Sequence, residues 1–99
     1  MTKADIVDIV SRATGLTKVD TEAVVNGFLS TITDSLRRGE RIEFRGFGSF
    51  SLKVRKPKKA RNPGTGDEIY LPERIVPVFK PSKILKDSIS RKYDNKKSQ

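Results

Sequence analysis

The sequence predicts an α+β fold: a helical N-terminal pair, an antiparallel sheet with a long protruding β-hairpin arm, and a short C-terminal helix. Three observations carry that prediction. Apolar residues recur at helical spacing from Ile6 to Leu36, and from Ile42 onward they alternate with charges instead. Between Arg55 and Glu68 the apolar pattern vanishes into RKPKKARNPGTGDE, a basic stretch with turn residues at its centre. Residues 1–93 read as one domain, with 1–38 helical, 40–80 forming the sheet, the arm at about 55–72, and 81–93 the last helix. The remaining residues 94–99, DNKKSQ, read as a flexible tail.

Thr2 is placed to cap a first helix, with Ile6, Val7, Ile9, Val10 and Ala13 on its apolar side and Gly15 as its stop. Thr17 followed by Asp20 resembles a capping box and opens a second, longer helix. Its stripe of Ala23, Val24, Phe28, Ile32 and Leu36 continues until Gly39. Arg37 and Arg38 close it, where basic side chains suit the helix dipole whatever the protein does.

In ERIEFRGFGSFSLKVRK the period is two, which means strands. Gly46 and Gly48 flank Phe47, so a sharp turn is expected there with the aromatic ring sent inward. Phe44, Phe47 and Phe50 read as core rather than as base-stacking platforms, and two short helices are too little to cover them, which points to a partner subunit.

Within the arm, Pro63-Gly64 fits the central positions of a type II turn, with glycine taking φ > 0. Leu52–Lys56 and Ile69–Leu71 supply the two limbs. Pro57 and Pro72 lie on opposite limbs, and proline is tolerated only at strand edges, so the ribbon is expected to stand alone. A strand through Ile75, Val76, Val78 and Phe79 then leads to a helix opening at Pro81 or Ser82 and carrying Ile84, Leu85 and Ile89.

Composition narrows the chemistry. The 99 residues contain no cysteine and no histidine, which removes disulfides, thiolate and imidazole metal sites, and Ser-His or Cys-His dyads. No apolar run approaches a membrane span, and MTKADIVDIV lacks the build of a signal peptide, so a soluble cytoplasmic protein with no membrane partner is expected. With 34% hydrophobic residues the chain is near the size where a solitary core becomes marginal. The net charge of +9 is uneven: residues 37–62 hold 10 basic and 2 acidic side chains, whereas residues 1–36 hold 3 and 5. Such a concentration is the footprint of a polyanion binder.

The arm then has a physical reading. Lys58, Lys59 and Arg61 neutralise phosphates, and the ribbon delivers its tip into a groove. Proline is a rigid apolar wedge without an N–H; set between base pairs from the minor groove, Pro63 would kink the duplex. Arg61 and Asn62 beside it reach minor-groove acceptors. An RNA-binding module using the same ribbon is the alternative, although Tyr70 and Tyr93 are the only tyrosines and form no RNP-like cluster. A metal-dependent nuclease is a second rival, resting on Asp67 and Glu68, two adjacent carboxylates that make a poor metal cage.

GFGSF, RNPGTG and FKPSKILKD together resemble the HU and integration host factor family of bacterial DNA-bending proteins, over roughly residues 1–90. MTKADI, GERIEFRGFGSFSL and RNPGTGDEI look more like the beta subunit of integration host factor than a generic HU. The resemblance implies a non-enzymatic, nucleoid-associated protein without cofactor, metal or small-molecule substrate. It implies an intertwined homodimer, or heterodimer with a related subunit, whose arms wrap double-stranded DNA while Pro63 intercalates. The dimer core would hold Phe44, Phe47, Phe50 and Phe79. The DNA-binding set on the arm is Arg55, Lys56, Lys58, Lys59, Arg61, Asn62, Gly64, Thr65 and Gly66. On the body the family's phosphate clamps correspond to Lys3, Lys80, Lys83 and Lys86. Arg41, Glu43 and Arg45 match a strand pattern near the DNA, and the same alternation also fits solvent-facing strand charges.

Overall fold

The computed structural model describes residues 1–97. It divides into two units, 1–38 and 39–99. In the first, α1 (Lys3–Thr14) and α2 (Lys18–Arg37) pack on each other. Thr2 closes a full capping box: its Oγ1 accepts the Asp5 N–H at 3.3 Å, and Asp5 Oδ2 accepts the Thr2 N–H at 2.8 Å. At Thr17 the hydroxyl accepts the Asp20 N–H at 3.1 Å. Gly15 ends α1 in the left-handed region at φ 78°, donating its N–H to the Ser11 carbonyl. Thr21, the most buried side chain of this unit, donates its hydroxyl to the Thr17 carbonyl, so that hydroxyl is not orphaned.

The second unit opens with β1 (Ile42–Phe44) and β2 (Gly48–Arg55), joined by a tight turn in which Phe47 N–H reaches the Phe44 carbonyl at 2.9 Å. Only Gly46 of the two glycines there has a positive φ, 81°. Gly48 has a different role from the sharp turn expected of it. It lies in β2, and a Cβ on it would stand 2.6 Å from both the Lys80 carbonyl oxygen and Phe79 Cζ, so glycine leaves room for an aromatic ring.

β5 (Arg74–Pro81) pairs antiparallel with β2 from Gly48↔Pro81 to Arg55↔Arg74, giving a sheet of order β1-β2-β5. Period-two alternation with this register sorts the side chains onto two faces. Ile42, Phe44, Phe50, Leu52, Val54, Ile75, Pro77 and Phe79 share one; Glu43, Ser49, Ser51, Lys53, Arg55, Arg74, Val76, Val78 and Lys80 share the other, which is charged at both ends and apolar only at the two valines.

β3 (Lys58–Arg61) and β4 (Glu68–Leu71) form a separate two-stranded ribbon. The limbs are therefore not continuous with the sheet, contrary to the run of strand expected through Lys56. Pairing stops at Arg55↔Arg74 and resumes at Lys58↔Leu71, with Pro57 and Pro72 inside the gap, because neither proline has an N–H to give the ladder.

α3 runs Lys83–Lys97, well beyond Tyr93, where the sequence pattern had placed its end. Ser82 Oγ caps it by accepting the Leu85 N–H at 3.1 Å. Of the expected tail, 94–97 is helical in its backbone, and Ser98 and Gln99 lie outside the described residues. Val7 is the one large apolar side chain fully buried among the described residues, while Ile75 stays 65% exposed and Val54 55%.

Candidate nucleic-acid interface

The ribbon tip is fixed by one residue. Asn62 donates its N–H to the Asp67 carbonyl at 2.9 Å and accepts the Gly66 N–H on its own carbonyl at 2.7 Å. Its side-chain Oδ1 accepts the Gly64 N–H at 2.9 Å, an Asx turn. The loop Pro63–Gly66 is thus closed from below. It is not the expected type II turn: Gly64 has no positive φ, and the left-handed residue is Gly66, at φ 76°. Gly66 takes that conformation because the chain must reverse before Asp67 can meet Asn62. Thr65 Oγ1 accepts the Asp67 N–H at 3.3 Å, and Pro63 is left exposed at the apex with no backbone hydrogen to satisfy.

Below the tip the register sets Lys59 opposite Tyr70 and Arg61 opposite Glu68 on one ribbon face, with Ala60, Ile69 and Leu71 on the other. Lys58 shares the less polar face, and both lysines are exposed. Arg55 and Lys56 stand at the root, beside the interruption at the prolines.

A second basic surface lies on the sheet itself. Arg41, Glu43, Arg45, Ser49, Lys80 and Ser82 border one cleft of about 240 Å³ between the β1–β2 turn and the start of α3. The Ser82 N–H donates to the Phe47 carbonyl at 2.9 Å, tying that turn to the helix start. Lys83 and Lys86 occupy the first turn of α3, which has no acidic residue, whereas α1 and α2 carry Asp5 and Asp20 there. Cations at that end oppose the helix dipole, a cost of about 0.3–1 kcal/mol each that an anion offsets.

Lys3 belongs to the helical unit, where its Nζ donates to Asn26 Oδ1 at 2.8 Å. Sequence reading missed Lys53 and Arg74, which share the basic face with Arg55 and Lys80. Strand parity alone was signal enough for Lys53; Arg74 needed the β2–β5 register.

The four phenylalanines meet on the opposite face. Phe50 and Phe79 have ring centroids 4.9 Å apart, Phe47 and Phe79 5.4 Å, and Phe44 stands edge-on to Phe50 at 6.1 Å and 85°. Among the described residues no three acidic side chains gather into a metal site, and Asp67 and Glu68 stay on the ribbon. No described helix is long and apolar enough to cross a membrane.

The sequence profile of bacterial DNA-binding proteins matches residues 1–90. The chain belongs to that family. DNA-binding protein HU 1 of Bacillus subtilis is 41% identical over 92 residues, covering 93% of this chain and 100% of the relative. Integration host factor subunit beta of Hahella chejuensis is 44% identical over 91 residues, covering 91% and 93%. Both branches of the family are thus represented among the relatives. A solved structure of Anabaena HU in a cocrystal with DNA superposes with a TM-score of 0.81 at 32% identity, covering 90% of this chain and 97% of that one.

Proposed function

We propose that this chain is a non-enzymatic architectural protein of the bacterial nucleoid that dimerises, grips double-stranded DNA with two basic ribbons, and bends it sharply from the minor groove. The observation that carries this reading is the ribbon tip. Pro63 is exposed at the apex of a loop held shut by three Asn62 hydrogen bonds, above Lys58, Lys59 and Arg61. A rigid apolar wedge on a cationic stalk matches a duplex that is first attracted through its phosphates and then unstacked at one step. The cleft formed by Arg41, Arg45 and Lys80, with Lys83 and Lys86 beside it, offers the bent flanks further phosphate contacts.

Dimerisation follows from exposure. Phe47 remains 50% and Phe79 41% exposed in the single chain, on a face that also carries exposed Leu52, Val54 and Ile75. A contiguous apolar face of that kind is a subunit interface in a soluble protein. The second copy is an identical chain or a related subunit. Sedimentation at micromolar concentration is expected to show a dimer, and a stable monomer would remove the two-armed clamp.

The functional test is energy transfer across an end-labelled duplex titrated with purified protein, with matched RNA as competitor. Shortened end-to-end distance and weak RNA competition are expected. Equal competition by RNA would favour the same ribbon acting as a general nucleic-acid module.

A further inference from the structure

The charged face of the sheet ends in a pair of arginines, of which the family resemblance assigns Arg55 to DNA and leaves Arg74 without a role. Arg55 and Arg74 are the last register partners of β2 and β5, so they stand directly opposite each other on one face, with Lys53 two residues back along β2. Directly opposed like charges destabilise a sheet. None of the three has an ion pair within the described residues, and Nη1 of Arg74 is buried with no hydrogen-bond partner. A buried guanidinium N–H left unmet is costly, yet Arg74 as a whole is partly exposed and reachable.

We propose that Arg55 and Arg74 form a cross-strand clamp for one backbone phosphate of bound DNA at the root of the ribbon. Two guanidinium groups carried by directly opposed residues on one face suit a phosphodiester, whose two non-bridging oxygens accept several N–H bonds at once. A phosphate rather than a protein carboxylate is favoured by position. The pair lies on the same face as Lys53 and Lys80, between the cleft at Lys80 and the basic ribbon that begins at Lys58. The clamp also sits where pairing breaks at Pro57 and Pro72, so a phosphate held by both strands would tie them together at the point where the protein's own ladder does not.

This inference rests on the DNA-binding reading, and the test separates the two. Arg55→Gln, Arg74→Gln and the double variant are titrated against duplex DNA over a range of salt. Each single change is expected to weaken binding about tenfold, and the double variant little more than either alone, because the two residues share one phosphate. The slope of log K against log salt should flatten by about 0.9 per chain in the double variant. Arg74→Lys should keep the slope while losing part of the affinity, since it retains charge without the fork. Additive losses with a slope change of about 1.8 per chain would mean two separate phosphates and overturn the clamp. Unchanged affinity and slope in Arg74→Gln, with the parent still binding, would overturn it too. A lowered thermal midpoint without DNA and an unchanged slope would assign Arg74 to a carboxylate of the partner subunit instead. Failure of the parent itself to bind duplex DNA would remove the functional reading with it.

Discussion

Replacing Pro63 by alanine separates attraction from bending. The variant keeps every charge on the ribbon, and the three bonds that close the loop link Asn62 with Asp67, Gly66 and Gly64, none of which uses residue 63. The loop should therefore persist, with one new N–H exposed to water. What disappears is most of the wedge: of three ring methylenes alanine retains one carbon. Burying the other two between bases contributes about 1.6 kcal/mol per ribbon. Against that, a duplex that is no longer unstacked is spared a few kcal/mol per step. The two changes nearly offset, so affinity should fall by no more than about tenfold per ribbon while the bend is largely lost. Ring closure of a short duplex, or energy transfer between its ends, reads the bend directly. The salt slope should not move, because no phosphate contact was removed. A nicked duplex, already free to kink, should recover most of the lost affinity. If the variant bends intact duplex as sharply as the parent, Pro63 is only a turn residue.

Salt dependence tests the ribbon charges: about 8 to 10 phosphates neutralised per dimer give a log–log slope of about −7 to −9, and Lys58→Ala with Lys59→Ala should flatten it by about 1.8 per chain. An unchanged slope would make those lysines solvated bystanders. Gly48→Ala should cost about 1–3 kcal/mol, because its Cβ meets the Lys80 backbone as well as the Phe79 ring, and a thermal midpoint lowered by roughly 5–20 °C checks it. Asp8 is held below the usual carboxylate range chiefly by its ion pair with Lys18, at 3.1 Å, and then by the charge of Arg12, at 3.3 Å. A depressed carboxylate contributes stability above its unfolded value and loses it as pH falls, so Asp8→Asn should have a lower thermal midpoint than the parent at neutral pH, with the gap closing below pH 3.8. A gap that persists at lower pH would refute the ion pair as its cause.

What the sequence made legible were features written within one segment. The Thr2 cap, the Gly15 stop and the strand alternation around Phe50 depend on neighbours a few residues away, and each is found where local chemistry places it. The gathering of Phe44, Phe47, Phe50 and Phe79 was legible because large apolar side chains in alternating strands have few other places to go. The misreadings share another cause. Whether Gly64 or Gly66 turns left-handed is decided by which residue Asn62 bonds across the loop, and whether Gly48 bends or merely clears space is decided by Phe79, thirty-one positions on. Arg74 shows the same dependence, since only the register sets it against Arg55. α3 outran its apolar pattern for a different reason: past Ile89 the run contains Arg91, Lys92, Lys96 and Lys97, good helix formers that need no core to continue a helix already started.

On the proposed function, register also explains why assembly and DNA binding would not be independent in this sheet. One set of alternate residues, Phe50, Leu52, Val54, Ile75 and Phe79, makes the face that the proposed dimer would cover; the intervening set, which holds Lys53, Arg55, Arg74 and Lys80 together with Ser49, Ser51, Val76 and Val78, makes the face that the proposed function offers to phosphates. A slip of one residue between β2 and β5 would exchange the two, exposing rings to DNA and turning cations toward the partner. The glycine at position 48 guards against that slip. Phe79 can lie over β2 only where a Cβ is missing, and no other position in β2 is glycine. The aromatic cluster therefore fixes the apolar face, and in doing so it fixes which cations stand together on the opposite one.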